Sequence, residues 1–151
     1  MSRYWLAQVA DHLLLPKMGE LHSQCRLTTA DFLAYLGEAD HRGRYLAAGY
    51  PSMFKYCVAE LNLSEDSAGK RIHAARAARK CPAIFPAVAD GRLHLSAVVM
   101  LAGRLTPENA DELIAAASHR SKAQIELMLA ERFPDEDAPM DAAGARVIRV
   151  F

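Results

Sequence analysis

Short apolar runs alternate with polar punctuation along this chain, and the apolar positions recur at helical spacing. Tyr4, Trp5, Val9 and Leu13 predict a first helix over Arg3 to Leu15, closed by Pro16 and Gly19. Thr28-Thr-Ala-Asp31 has the form of a capping box. Behind it Phe32, Leu33, Tyr35, Leu36 and Ala39 make the inward face of a second helix. Gly43 and Gly49-Tyr-Pro51 mark a loop. Ser52 is placed to cap a helix carrying Met53, Phe54, Cys57, Val58 and Leu61. Asn62 and Leu63 form a tight turn, and Ser64 caps the next helix. Pro82 at a first-turn position opens a further helix that Gly91 ends. Ser96 to Arg104 is short and apolar, and Thr106-Pro107 begins a helix through Ala117. Ser121 with Gln124 repeats the capping-box logic for a last helix ending near Phe133-Pro134. No stretch before Pro134 sustains the period-two alternation of a strand. The pattern predicts an all-α, compact domain of about six or seven short helices over residues 1–133. An acidic, weakly ordered tail over 134–151 follows, in which "RVIRVF" forms a short extended end.

Composition changes this picture little. A chain of 151 residues, 52% hydrophobic and 24% charged, is long enough to bury a core. Aromatics at 7% and abundant alanine favour close-packed helices over sheets. Cys25, Cys57 and Cys81 are odd in number and lack CxxC spacing, so they read as small buried hydrophobes of a reducing compartment. The apolar stretch near the N-terminus is too short and interrupted for a membrane span or secretory signal. The expectation is a cytoplasmic protein with no membrane partner.

Charge changes it more. The chain has 18 basic and 18 acidic residues, so its net charge is zero. Zero net charge argues against indiscriminate binding to nucleic acid, whose non-specific affinity comes from phosphate neutralisation. Yet from Ser67 to Arg104 there are seven Lys/Arg against Asp90 alone, and from Leu105 to Asp141 three Lys/Arg against nine acids. The stretch "LSEDSAGKRIHAARAARK" (Leu63 to Lys80) gathers Lys70, Arg71, Arg76, Arg79 and Lys80 on one predicted helix.

That helix is the second half of "YCVAELNLSEDSAGKRI", which resembles a helix-turn-helix with Asn62 in place of the usual turn glycine. On a wheel of 3.6 residues per turn, Ala68, Ile72 and Ala75 share the inner face. Lys70, His73, Arg76 and Lys80 fall on an outer arc, with Gly69, Ala74 and Ala77 among or beside them and Arg71 flanking. Long cations separated by small residues suit close approach to a phosphate backbone or groove. The candidate DNA-contacting set is Ser64, Ser67, Lys70, Arg71, His73, Arg76, Arg79 and Lys80. The bland alternative is a solvated basic helix in an ordinary bundle, with Glu65 and Asp66 serving only the helix dipole.

Two family resemblances point the same way. The order of features after Leu63 resembles the helical DNA-binding domain of ParB-type partition proteins. There a helix-turn-helix leads into a proline-started helix, a glycine turn, a short helix and a final Ser-x-x-x-Ile-Glu helix. The matching stretches are "LSEDSAGKRI", "CPAIFPAVADGRLHLSAVVML" and "SKAQIE". More closely, Leu27 to Phe133 resembles the helical N-terminal region before HNH nuclease modules in bacterial HNH endonuclease-like proteins. "YLAAGYPSMFKYCVAELNLSEDSAGKRIHAARAAR", "ADGRLHLSAVVMLAGRLTPENADELIAAA" and "SKAQIE" carry that resemblance. It implies a DNA-associated protein, stand-alone or truncated. It does not transfer catalysis, because the catalytic residues of such proteins lie in a later module.

An HNH site needs a histidine base, an orienting asparagine and further ligands for a divalent metal, set on a hairpin and a helix. The nearest approach is Asp40-His41, Asn62 and His73, but a predicted helix occupies the hairpin's place and Arg71 and Arg76 flank His73. His94 reads as a turn or core histidine, and His119 as a cap on the preceding helix's carbonyls. His12 and His22 have no assignable partners. No GxSxG, P-loop, HExxH or CxxC occurs. The sequence thus presents no catalytic residue, metal site or cofactor. It predicts a domain docking double-stranded DNA through residues 65–80, with a second copy or a separate nuclease module as further partners. The rivals are a helical protein-interaction module, whose acidic C-terminal half serves a basic partner, and an endonuclease with an unrecognised site.

Overall fold

Helix α1 (Asp11–His41) is 31 residues long and runs through two of the breaks the sequence suggested. The chain is described here from a computed structural model covering residues 2–134. Among those residues there are eight helices and no strand, so the protein is all-α. After α1 come α2 (Arg44–Ala47), α3 (Met53–Glu60), α4 (Glu65–Lys80), α5 (Ile84–Ala89), α6 (Leu95–Leu101), α7 (Ala110–Ala117) and α8 (Lys122–Arg132). The proposed tail end, "RVIRVF", lies outside the described residues.

The first predicted helix and the first capping box are both corrected. Residues 2–10 form turns, and the helix starts only at Asp11. Pro16 therefore falls in its second turn, where the ring forfeits one amide bond, to the carbonyl of exposed His12. Thr28 does not cap a new helix. No glycine or proline between Gly19 and Thr28 interrupts the helix, and the Thr29 hydroxyl donates back to the Cys25 carbonyl at 2.8 Å.

Elsewhere the caps fall close to where the sequence put them. Ser52 Oγ accepts from the Lys55 amide and Ser64 Oγ from the Ser67 amide, both at 3.1 Å. Ser121 and Gln124 form a complete capping box. Thr106 and Asn109 exchange side-chain and backbone hydrogen bonds ahead of α7. Gly91 ends α5 with φ +88, a conformation glycine adopts freely.

Helix α4 sits at the centre, packed against α1, α3, α5 and α6. Its alanines explain how. Ala68, Ala74, Ala75, Ala77 and Ala78 are all buried with Ile72, so neighbours approach on several sides. At Gly37 of α1 the approach is close, since a β-carbon there would meet the Ala75 carbonyl oxygen at 3.3 Å. Leu33, Ile84, Leu93, Val98, Leu101, Leu113, Ile114 and Ile125 complete a single core. Cys57 and Cys81 are buried in it, and burial pushes both thiols above their ordinary pKa. Cys25 is exposed, contrary to the reading of all three cysteines as core residues.

Candidate nucleic-acid interface

The surface in question is built from α3, a four-residue turn and α4. Asn62 takes the left-handed conformation, φ +55, that its place in the turn required. The Leu63 amide then reaches back to the Cys57 carbonyl at 3.2 Å, and Ser64 caps α4. Glu65 and Asp66 lie in the first turn of α4 and Arg79 and Lys80 in the last, an order that complements the helix dipole.

The sequence wheel is right about the inner face and wrong about two small residues. Ala68, Ile72 and Ala75 are inward as expected. Ala74 and Ala77, placed on or beside the outer arc, are buried at 0% and 9% exposure. They make room for neighbouring helices, not for a phosphate. What remains exposed on α4 beyond its first turn is a narrow line: Gly69, His73, Arg76 and Lys80, with Arg79 alongside.

This line borders a groove of about 630 Å³, whose walls include Tyr45, Phe54, Gly69, His73, Arg76 and Lys80. A β-carbon on Gly69 would meet nothing within 4 Å, so the groove is open above it. The structure thus brings His73, Arg76 and Lys80 together. It gives most of the other candidates partners inside the chain. Ser64 Oγ is occupied by the Ser67 amide, and Arg71 donates to Ser67 Oγ. Lys70 Nζ lies 3.6 Å from Asp66.

Two arginines of α4 are tied to the end of α1. Arg76 forms a two-pronged pair with Asp40, Nε to Oδ2 at 2.8 Å and Nη2 to Oδ1 at 3.1 Å. That hydrogen bond holds the guanidinium above its ordinary pKa. The Asp40 side chain is only 15% exposed, so the pair is partly withdrawn from water. Arg79 binds Glu38, which also accepts from Arg42 at 3.0 Å, and the two guanidiniums hold the Glu38 carboxyl below its ordinary value. Sequence reasoning missed both carboxylates because nothing local marks pairs 36 and 41 residues apart. His73 and Lys80 keep no hydrogen-bond or ion-pair partner among the described residues.

The other histidines resolve as follows. His94 caps α6: Nδ1 accepts from the Ala97 amide at 3.1 Å, so the proton sits on Nε2, which faces the Arg120 carbonyl at 3.1 Å. His119 does not cap through its side chain as expected. It adopts φ +60 in the turn after α7 and its amide donates to the Arg92 carbonyl at 2.9 Å. His41 ends α1, Asn62 is in the turn and Asp40 is committed to Arg76. No group of three His, Cys, Asp or Glu among the described residues is arranged to hold a metal ion. No helix among them is long and apolar enough to cross a membrane.

Comparison with protein-family models, with curated proteins and with solved structures finds no match for this chain.

Proposed function

We propose that this protein docks double-stranded DNA along its phosphate backbone, through the exposed line of α4 and the groove beside it. One observation carries the reading: His73 and Lys80 lack a partner among the described residues and share an open groove with Gly69 and Arg76. Lys80 and Arg76, beside a glycine that admits close approach, suit a row of phosphates. The resemblance to the region before HNH nuclease modules supports the same partner. Six of the sixteen residues of α4 are buried, Ala74 and Ala77 among them, which leaves only a narrow exposed line, so the contact is a shallow one with the backbone and α4 does not enter the major groove as a recognition helix does. Lys70 and Arg76 join by exchanging their carboxylates for phosphates. Strand cleavage falls outside this role and belongs to a separate nuclease module.

The test is a fluorescence binding assay on a mixed-sequence duplex at low salt. Replacing Lys70 and Lys80 by alanine is expected to weaken binding about tenfold or more, whereas Lys122→Ala on α8 leaves it unchanged. Equal binding by all three proteins would reject the reading.

The second reading is a protein-interaction module, favoured by the neutralisation of Arg76 and Arg79 within the chain. A wild-type protein that never binds duplex would put this reading first.

A further inference from the structure

The first three turns of α1 stand off the body. Residues 11–29 contain no buried position, and Leu14, Met18 and Leu21 are 38%, 63% and 48% exposed. These residues belong to a longer series: Leu14, Met18, Leu21, Cys25, Thr28, Phe32 and Tyr35 follow one another at alternating steps of four and three. Such spacing is the seam of a coiled coil, and this one spans three heptads, about 33 Å of helix. Core contacts of α1 use mainly another side, through Ala30, Leu33, Leu36 and Gly37, with Phe32 half-buried where the seam meets the body. Pro16, the one residue that interrupts the helical hydrogen bonds of this arm, is two positions from the nearest seam residue and faces away from it.

We propose that this free side of α1 pairs antiparallel with the same helix of a second copy of the chain. Antiparallel pairing sets Leu14 against the partner's Phe32, Met18 against the partner's Thr28, and Leu21 against the partner's Cys25. In that register Lys17, which pairs with Glu20 of its own helix at 3.2 Å, lies across from the partner's Asp31, and exposed Tyr35 meets the partner's Asp11. Every one of these contacts occurs twice, as a two-fold interface requires. Parallel pairing instead sets Lys17 beside the partner's His22, with no attraction to gain. A lipid surface fits poorly, because residues 11–25 carry Lys17 as their only Lys or Arg, against Asp11 and Glu20. No seam residue lines the groove beside α4, so the pairing stands or falls independently of DNA docking.

The experiment is sedimentation of the full chain at tens of micromolar, with oxidative cross-linking. Wild type is expected at twice 16.6 kDa. Met18→Glu with Leu21→Glu is expected at 16.6 kDa with unchanged helicity, since both side chains are exposed. Leu21→Cys is expected to cross-link through Cys25 of the other copy on mild oxidation. Wild type is not, because antiparallel pairing sets the two Cys25 residues about 6 Å apart along the axis besides the interhelical spacing, beyond disulfide reach. A wild-type monomer would overturn the proposal, as would a dimer that survives the glutamates. A wild type that cross-links through Cys25 alone would overturn the antiparallel register. Sedimentation of a monomer with vesicles of anionic phospholipid would assign the arm to a membrane instead.

Discussion

Gly37 and Gly69 both lie inside a helix, and their surroundings are opposite. Beside Gly37 the Ala75 carbonyl leaves no room for a larger side chain, so Gly37→Leu should destabilise by at least about 1–3 kcal/mol through overpacking. Gly69 faces open space, so Gly69→Ala should stabilise by about 0.5–1 kcal/mol while weakening DNA binding if phosphate approaches there. Urea melts of the two variants decide the first point, and duplex binding by the second decides the other. His94 offers a third residue-level case. Its ring replaces the usual serine or aspartate at an N-cap, so His94→Ala should cost about 0.5–2 kcal/mol, whereas His94→Asn should recover most of it. A melting temperature indifferent to both substitutions would mean that the ring is not holding the start of α6. The sequence marked His94 as structural but could not show the cap, because histidine is not a residue that signals one.

At the scale of elements, caps and glycine stops were legible because they are local chemistry. Ser52, Ser64, Asn62, Gly91 and the Ser121–Gln124 box all act within four residues of themselves. Helix α1 was not legible. A proline near an exposed helix start and a threonine pair in mid-helix look the same in sequence as true boundaries. The burial of Ala74 and Ala77 was equally hidden, since alanine suits both an exposed arc and a tight interface. The link between α4 and α1 belongs to this scale too. Arg76→Ala leaves the mostly buried Asp40 carboxylate without its guanidinium, and should cost about 1–3 kcal/mol. Asp40→Ala in the same chain should restore part of that loss, which a double-mutant cycle on urea unfolding measures. A cycle with no coupling would show the pair to be incidental. The Glu38 pair carries a pH signature. Its carboxyl pKa is lowered in the folded state, so its contribution is fully present above the unfolded value of about 4.3. That contribution is lost as pH falls through the lower folded value. The stability gap between wild type and Glu38→Gln should therefore be constant near neutrality and close on acidification. A gap that persists at low pH would mean that Glu38 acts without its charge.

For the whole molecule, the decisive quantity is how a chain of zero net charge distributes its cations. Segregation was visible in the sequence, but its neutralisation was not. Glu38 and Asp40 come from a helix that folds back on α4 from 36 or more residues away. What survives for a partner is a line of Lys80, His73 and the exchangeable Arg76 and Lys70, much narrower than the eight candidate residues. The acids of α1 are therefore expected to compete with DNA for the same arginines. Measuring log K against log salt for a mixed-sequence duplex, with wild type, Lys80→Ala and Asp40→Asn side by side, tests this most directly. Lys80→Ala should flatten the slope by about 0.9, the contribution of one phosphate contact. Asp40→Asn, which frees Arg76, should bind more tightly and steepen the slope by a similar amount. Three superimposed lines, or no binding by any of the three, would mean that α4 does not meet phosphates through these residues.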